Sequence, residues 1–199
     1  MNSRKIVIAV FIGIFYFISG TSSLWAGEAG KLIMGTIEKG LAVLKDPALK
    51  GSEKTLERRQ RLWQEISPVF NFDEMSKRAL GLHWQKRSPE EKGQFTELFT
   101  NILKETYIGK TDTYSGEKII YIGEKQEDIY ASVQTKLITN TGVEVLAEYR
   151  LFKNKDNWRI YDVIIEGVSL VNNYRSQFYN ILGKSSFESL LQTLKEKNT

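Results

Sequence analysis

The chain has 199 residues, of which 41% are hydrophobic and 12% aromatic. It is therefore long enough for one buried core and short for two domains. It contains no cysteine, which excludes a disulfide framework. It contains one histidine, His83, so Cys/His metal clusters are excluded, and a catalytic triad would have to use His83 as its one histidine. We interpret His83 as a structural residue.

The N-terminus resembles a secretory signal. A basic start, MNSRK, precedes the apolar run IVIAVFIGIFYFISG and the small or polar residues TSSLWAGEA. We expect a signal peptide over residues 1–26, cleaved between about 22 and 29, and a single mature domain over 27–199. The alternative is a transmembrane anchor, but the run is shorter than the roughly 20 residues that a bilayer crossing needs. No cysteine follows the run, so a lipoprotein anchor is excluded.

The charge of the mature chain is nearly balanced. Removal of Arg4 and Lys5 leaves 26 basic and 24 acidic residues. Such a surface gives little reason to expect nucleic acid as a partner. The local run KTLERRQR at 54–61 is the exception. We expect Lys54, Arg58 and Arg61 to form a docking patch for an acidic partner, and the alternative is an ordinary solvated helix face.

Apolar spacing predicts helices in the first half of the chain. A helix over 29–45 carries Ile33, Ile37, Leu41 and Leu44, a second begins near Ser52, and a short third covers 73–81. Ser88-Pro89-Glu90-Glu91 is a capping box with proline at the first helical position. The sequence therefore predicts a long helix from Pro89, with an apolar stripe that includes Phe99, Leu103 and Tyr107.

Beyond Lys110 the hydrophobic period changes from about 3.6 to 2 residues, which predicts strands. Four strands are expected, over 117–122, 128–138, 143–153 and 158–166. Asn140-Thr141-Gly142 fits a three-residue hairpin loop, with Leu137 opposite Val145 and Val133 opposite Tyr149. In the last strand, strict alternation places Trp158, Ile160 and Ile164 on one face and Tyr161, Val163 and Ile165 on the other.

Two C-terminal helices complete the prediction. The first is capped by Ser169 and ends near Gly183, and the second follows a possible capping box from Ser185 to Glu188. Helices, an antiparallel meander and further helices indicate an α+β domain with a four-stranded antiparallel sheet covered by helices.

Asp162 and Glu166 are the candidate acidic residues, because they interrupt an apolar run. Four residues apart on one strand, they would be separated by about 13 Å, too far for a glycosidase pair, whose carboxyl groups need about 5 to 9.5 Å. Either could act alone as a general base in an apolar cavity. The other interpretation is that they brace the sheet edge and the turn into the Ser169 helix.

Several motifs in fixed order resemble the MlaC family, also called the toluene-tolerance or Ttg2 family of periplasmic phospholipid-binding proteins. They are FDEMSKRALGLHW, SPEEKGQF, WRIYDV, EGVS, NYRSQF and FESLLQTLKEK, within residues 30–197. Hopanoid-associated relatives share this signature, so the lipid stays open.

The resemblance implies an NTF2-like domain with an apolar cavity between sheet and helices, diacyl phospholipid as cargo rather than a cofactor, and no enzyme activity. It also implies shuttling, as a monomer, between an outer-membrane lipoprotein complex and an inner-membrane ABC transporter with an MCE-domain subunit. We expect the acyl chains to contact a set of apolar residues: Phe99, Leu103, Tyr107, Val133, Leu137, Val145, Ala147, Tyr149, Tyr161, Val163, Ile165, Val168, Leu170 and Tyr174. If the strand over 158–166 is turned over, Ile160 and Ile164 line the cavity instead. The alternatives are an exported enzyme that uses Asp162 or Glu166 on a small apolar substrate, and a purely structural partner of a membrane complex.

Overall fold

The computed structural model describes residues 26–155 and 157–198, so the predicted signal peptide lies almost wholly outside the described part. Six α-helices are present there: α1 Glu28–Lys45, α2 Thr55–Ile66, α3 Phe72–Leu80, α4 Pro89–Ile108, α5 Leu170–Leu182 and α6 Phe187–Lys197. The strands are β1 Lys118–Glu127, β2 Tyr130–Ile138, β3 Glu144–Asn154, β4 Asn157–Ile165 and β5 Val168–Ser169. None of these helices is long and apolar enough to cross a membrane.

The five strands form one antiparallel sheet in the order β1-β2-β3-β4-β5, so the α+β class and the antiparallel meander are confirmed. The predicted hairpin register is also confirmed, because Leu137 pairs with Val145 and Val133 pairs with Tyr149. Gly142 has φ +81°, a left-handed conformation that glycine adopts without steric cost.

The predicted helix signals are largely confirmed. Ser88 and Glu91 form the reciprocal capping box of α4, and the Ser169 hydroxyl accepts a hydrogen bond from the Asn172 N–H at the start of α5. The cap of α6 is Ser186, which accepts from the Ser189 N–H. The prediction of Ser185 was therefore wrong by one residue.

Two cores stabilise the domain. One lies among α3, α4, α5 and α6 and includes Phe95, Phe99 and Leu190, which are at most 1% exposed. The other lies between α1 and the sheet and is centred on Val133 and Leu151, both fully buried. One of the cavities described below is lined by residues of both cores, and the other borders the second core.

The fifth strand was not predicted. It follows a two-residue turn, Glu166-Gly167, in which both residues have positive φ, +50° and +77°. Such a turn matches the twist of a hairpin. The usual Asn-Gly or Asp-Gly signal is absent, because glutamate occupies the first position.

A β-bulge changes the faces of β4. Arg150 pairs with Asp162 but Leu151 pairs with Ile160, so Tyr161 is the extra residue. Beyond a bulge the alternation of side chains shifts by one. Ile160 and Val163 consequently lie on the same face of the sheet, which we call the inner face because α1 packs against it. The strict alternation predicted for this strand was wrong for that reason.

Candidate functional site

Two apolar cavities lie between the inner face of the sheet and the helices. The first, which we call the α4-side cavity, has a volume of about 180 Å³ and is lined by twelve apolar or aromatic residues. They are Trp63, Ile66, Phe70, Phe72, Met75, Leu103, Tyr107, Ile108, Tyr149, Val163, Ile165 and Leu170.

The second, the α1-side cavity, has a volume of about 270 Å³. It is lined by Ile33, Thr36, Ile37, Gly40, Leu41, Leu44, Leu62, Ile66, Val69, Phe70, Thr111, Ile119, Tyr149 and Ile160. Thr36 and Thr111 are the polar aliphatic residues of this lining, and the Thr36 hydroxyl donates to the Leu32 carbonyl. Neither cavity is lined by a charged side chain.

The inner face of the sheet is covered at one end and open at the other. Ala131, Leu151 and Ile160, toward the β3–β4 turn, are at most 6% exposed. Toward the β2–β3 hairpin, Leu137 and Val145 are half-buried. The cavities therefore lie next to an open end of the domain.

The phenol groups that reach the cavities stay neutral. Burial raises the pKa of Tyr149, and burial also raises the pKa of Tyr107. Loss of a phenolic proton would place a charge in an apolar environment, which costs free energy. The cavity walls consequently carry no charge at neutral pH.

Six of the predicted acyl-chain residues line the α4-side cavity: Leu103, Tyr107, Tyr149, Val163, Ile165 and Leu170. Leu137, Val145 and Ala147 lie on the inner face toward the open end, and Val168 is 58% exposed at the same end.

The other predicted residues lie elsewhere. Phe99 and Tyr174 pack against each other in the helical core, with ring centroids 5.0 Å apart, because the middle of α4 faces α5 and only its last turns face the sheet. Val133 is fully buried under α1. Tyr161, on the bulge, is covered by the Arg78 guanidinium at 4.0 Å from its ring centroid.

Sequence reasoning did not assign α1 and α2 to the site. Their apolar stripes were visible, but a stripe at helical spacing is equally expected of ordinary core packing. Gly40 is the one additional signal. A Cβ there would lie 3.2 Å from Leu62 Cδ1, so glycine permits the close approach of α1 and α2 beside the cavity.

Asp162 and Glu166 brace the sheet and the following helix, as one of the two interpretations predicted. Asp162 is 4% exposed and accepts hydrogen bonds from the Ser169 hydroxyl and the Val171 N–H. Glu166 accepts from the Leu146 N–H. Neither carboxylate lines a cavity.

The basic run at 54–61 is neutralised in part by neighbouring acids. Lys54 and Arg61 both form ion pairs with Glu57 at 2.9 Å. Arg58 is bound to Asp112 at 3.2 Å and donates to the Leu49 carbonyl, and its side chain is only 13% exposed. A docking role for Lys54, Arg58 and Arg61 remains a prediction.

Fold and cavities together define an α+β domain that encloses apolar space between a sheet and its covering helices. The sequence model of the MlaC protein family matches residues 35–196. The chain therefore belongs to the MlaC family.

Individual relatives agree with this assignment. The chain is 22% identical over 137 residues to the intermembrane phospholipid transport system binding protein MlaC of Haemophilus influenzae, an alignment that covers 66% of this chain and 64% of the relative. It is 26% identical over 122 residues to the toluene tolerance protein ttg2D of Pseudomonas putida, covering 60% of this chain and 57% of that protein. The alignments thus span less than two thirds of the length of either relative.

A solved structure is similar over most of the chain. The phospholipid-binding protein from Ralstonia solanacearum, determined in complex with a phospholipid, superimposes with a TM-score of 0.76 at 27% sequence identity. The match covers 86% of this chain and 97% of that one.

Proposed function

We propose that this protein is a non-catalytic phospholipid carrier of the periplasm. It holds acyl chains in the cavities beneath its sheet and shuttles lipid between an outer-membrane lipoprotein complex and an inner-membrane ABC transporter with an MCE-domain subunit. The observation that carries the proposal is the pair of uncharged apolar cavities next to the open end of the domain. The phospholipid in the similar Ralstonia solanacearum protein supports it.

The physical need for such a cavity follows from the hydrophobic effect. Exposure of acyl chains to water costs about 0.8 kcal/mol per methylene, so a lipid with about thirty methylenes would face a cost on the order of 25 kcal/mol. An uncharged apolar cavity lowers that cost for the methylenes that it encloses, while the head group stays in water at the open end.

The arrangement of the acidic groups supports a carrier over an enzyme. Asp162 is engaged by two hydrogen-bond donors and lies away from both cavities. Among the described residues, no group of three or more His, Cys, Asp or Glu side chains is placed to hold a metal ion.

Lipid uptake from vesicles tests the proposal. The mature protein is incubated with vesicles of phosphatidylethanolamine and phosphatidylglycerol that carry a radiolabelled acyl chain, and is then separated from them by size. We expect near-stoichiometric labelled lipid on the protein, and a lysozyme control that carries none. A protein that acquires no label would contradict the proposal.

A further inference from the structure

Three residues separate the two cavities. Ile66, Phe70 and Tyr149 line both of them, so these side chains form a divider between two spaces rather than one wall of a single space. Every other lining residue belongs to one cavity alone.

The divider is anchored from both sides. On the helical side, Phe70 forms a bridge with Ile160 of β4, and the Asn71 N–H donates to the Ile160 carbonyl at 2.8 Å. On the sheet side, Tyr149 lies in the middle of the sheet, because it pairs with Val133 of β2 and with Val163 of β4. Residues fixed in this way maintain two separate spaces.

Both cavities reach the same short segment of chain. Ile108, at the end of α4, lines the α4-side cavity, and Thr111 lines the α1-side cavity. On the sheet, Ile165 and Ile119 lie toward the open end and line the α4-side and α1-side cavities respectively. The two spaces therefore converge near that end and diverge on either side of the divider.

We propose that each cavity is a compartment for one acyl chain, so that a diacyl lipid straddles Phe70 and Tyr149 with its glycerol near residues 108–111. This inference rests on the proposed function. Each cavity alone is smaller than the roughly 300 Å³ at which small-molecule pockets begin, and together they exceed it. A lipid with two chains inserts one chain into each compartment, whereas a lipid with one chain occupies only one compartment.

Matched tryptophan variants test the compartments separately. Ile165→Trp fills the α4-side compartment and Ile119→Trp fills the α1-side compartment, and both positions are half-buried on the inner face. Ile120→Trp is the control, because Ile120 is 47% exposed and the register places it on the opposite face. Each protein is incubated with vesicles containing equal parts of diacyl phosphatidylethanolamine and its monoacyl counterpart, re-isolated, and its lipid extracted for mass spectrometry.

We expect wild type and Ile120→Trp to carry the diacyl lipid. Each inner-face variant should carry the monoacyl lipid at a similar molar occupancy, and the double variant should carry none. Circular dichroism checks the fold, and Ile165→Phe and Ile119→Phe replace the tryptophan variants if either fails to fold.

Two outcomes would overturn separate compartments while leaving the carrier intact. One is a folded single variant that loses all lipid, because the cavities would then act as one site. The other is full retention of diacyl lipid in both single variants. A wild-type protein without any lipid would contradict the proposed function itself.

Discussion

The Asp162 carboxylate accepts a hydrogen bond from the Ser169 hydroxyl at 2.6 Å, and the same hydroxyl accepts from the Asn172 N–H at the start of α5. The second carboxylate oxygen accepts from the Val171 N–H at 3.1 Å. One buried carboxylate therefore connects β4 to the first turn of α5.

Replacement of this carboxylate by an amide should destabilise the fold without removing lipid. In Asp162→Asn only one oxygen can still accept, so a buried donor loses its partner, at a cost of about 1–3 kcal/mol. Chemical denaturation measures the loss. Glu166→Gln is the control, because Glu166 is exposed and its replacement should change stability by no more than about 0.5 kcal/mol. Loss of bound lipid from folded Asp162→Asn would instead point to a functional carboxylate.

A bulky residue in the α4-side cavity should reduce lipid content with little loss of fold. Val163 is 8% exposed and lines that cavity, so the indole of Val163→Trp would occupy space that an acyl chain needs. If the position were solid core, overpacking would cost typically about 1–3 kcal/mol. Lipid content and thermal unfolding are measured together. Unchanged lipid in a folded variant would contradict the assigned lining.

Arg58 and Arg61 in the basic run of α2 should respond differently to charge reversal. Arg61 is 53% exposed, whereas Arg58 is bound to Asp112 and to the Leu49 carbonyl. If the patch steers docking, Arg61→Glu should slow lipid transfer to the membrane complex at low ionic strength, and the difference should disappear at high salt. Arg58→Glu should mainly lower stability. Transfer rates for Arg61→Glu equal to wild type at low salt would exclude a steering role.

Asp112 should make a contribution to stability that depends on pH. A hydrogen bond from Arg59, with Arg58 nearby, lowers the pKa of the Asp112 carboxyl. Because the pKa is lower in the folded state, the ionised carboxylate stabilises the fold at pH values above the unfolded-state pKa of about 3.9. This contribution is lost as the pH falls through the folded-state pKa. Asp112→Asn should be less stable than wild type at pH 7, and the gap should close below about pH 4. A gap that does not depend on pH would contradict the ion pair.

The sequence predicted the parts of the fold that local chemistry determines. The Ser88–Glu91 capping box and the hairpin that pairs Leu137 with Val145 both depend on residues close together in the chain. The bulge at Tyr161 depends on how β3 and β4 pair, and strict alternation could not reveal it. One extra residue in β4 placed Ile160 and Val163 on the same face.

The sequence predicted half of the lining of the α4-side cavity but not the α1-side cavity, which depends on how helices and sheet pack together. Leu103 and Val163 belong to the sheet and helix stripes whose packing was expected, and both line the α4-side cavity. The α1-side cavity exists because α1 and α2 meet at Gly40 without closing over Ile119 and Ile160. A space left between packed elements has no periodicity of its own in the sequence.

Lipid extracted from the purified mature protein is the most direct test of a carrier function. After expression with its N-terminal segment and purification without detergent, an organic extract is analysed by mass spectrometry and its phosphorus is compared with the protein concentration. We expect diacyl phospholipid at near-stoichiometric amounts, held in the cavities on both sides of Phe70 and Tyr149. An extract without phospholipid, from protein that is folded by circular dichroism, would contradict a carrier function.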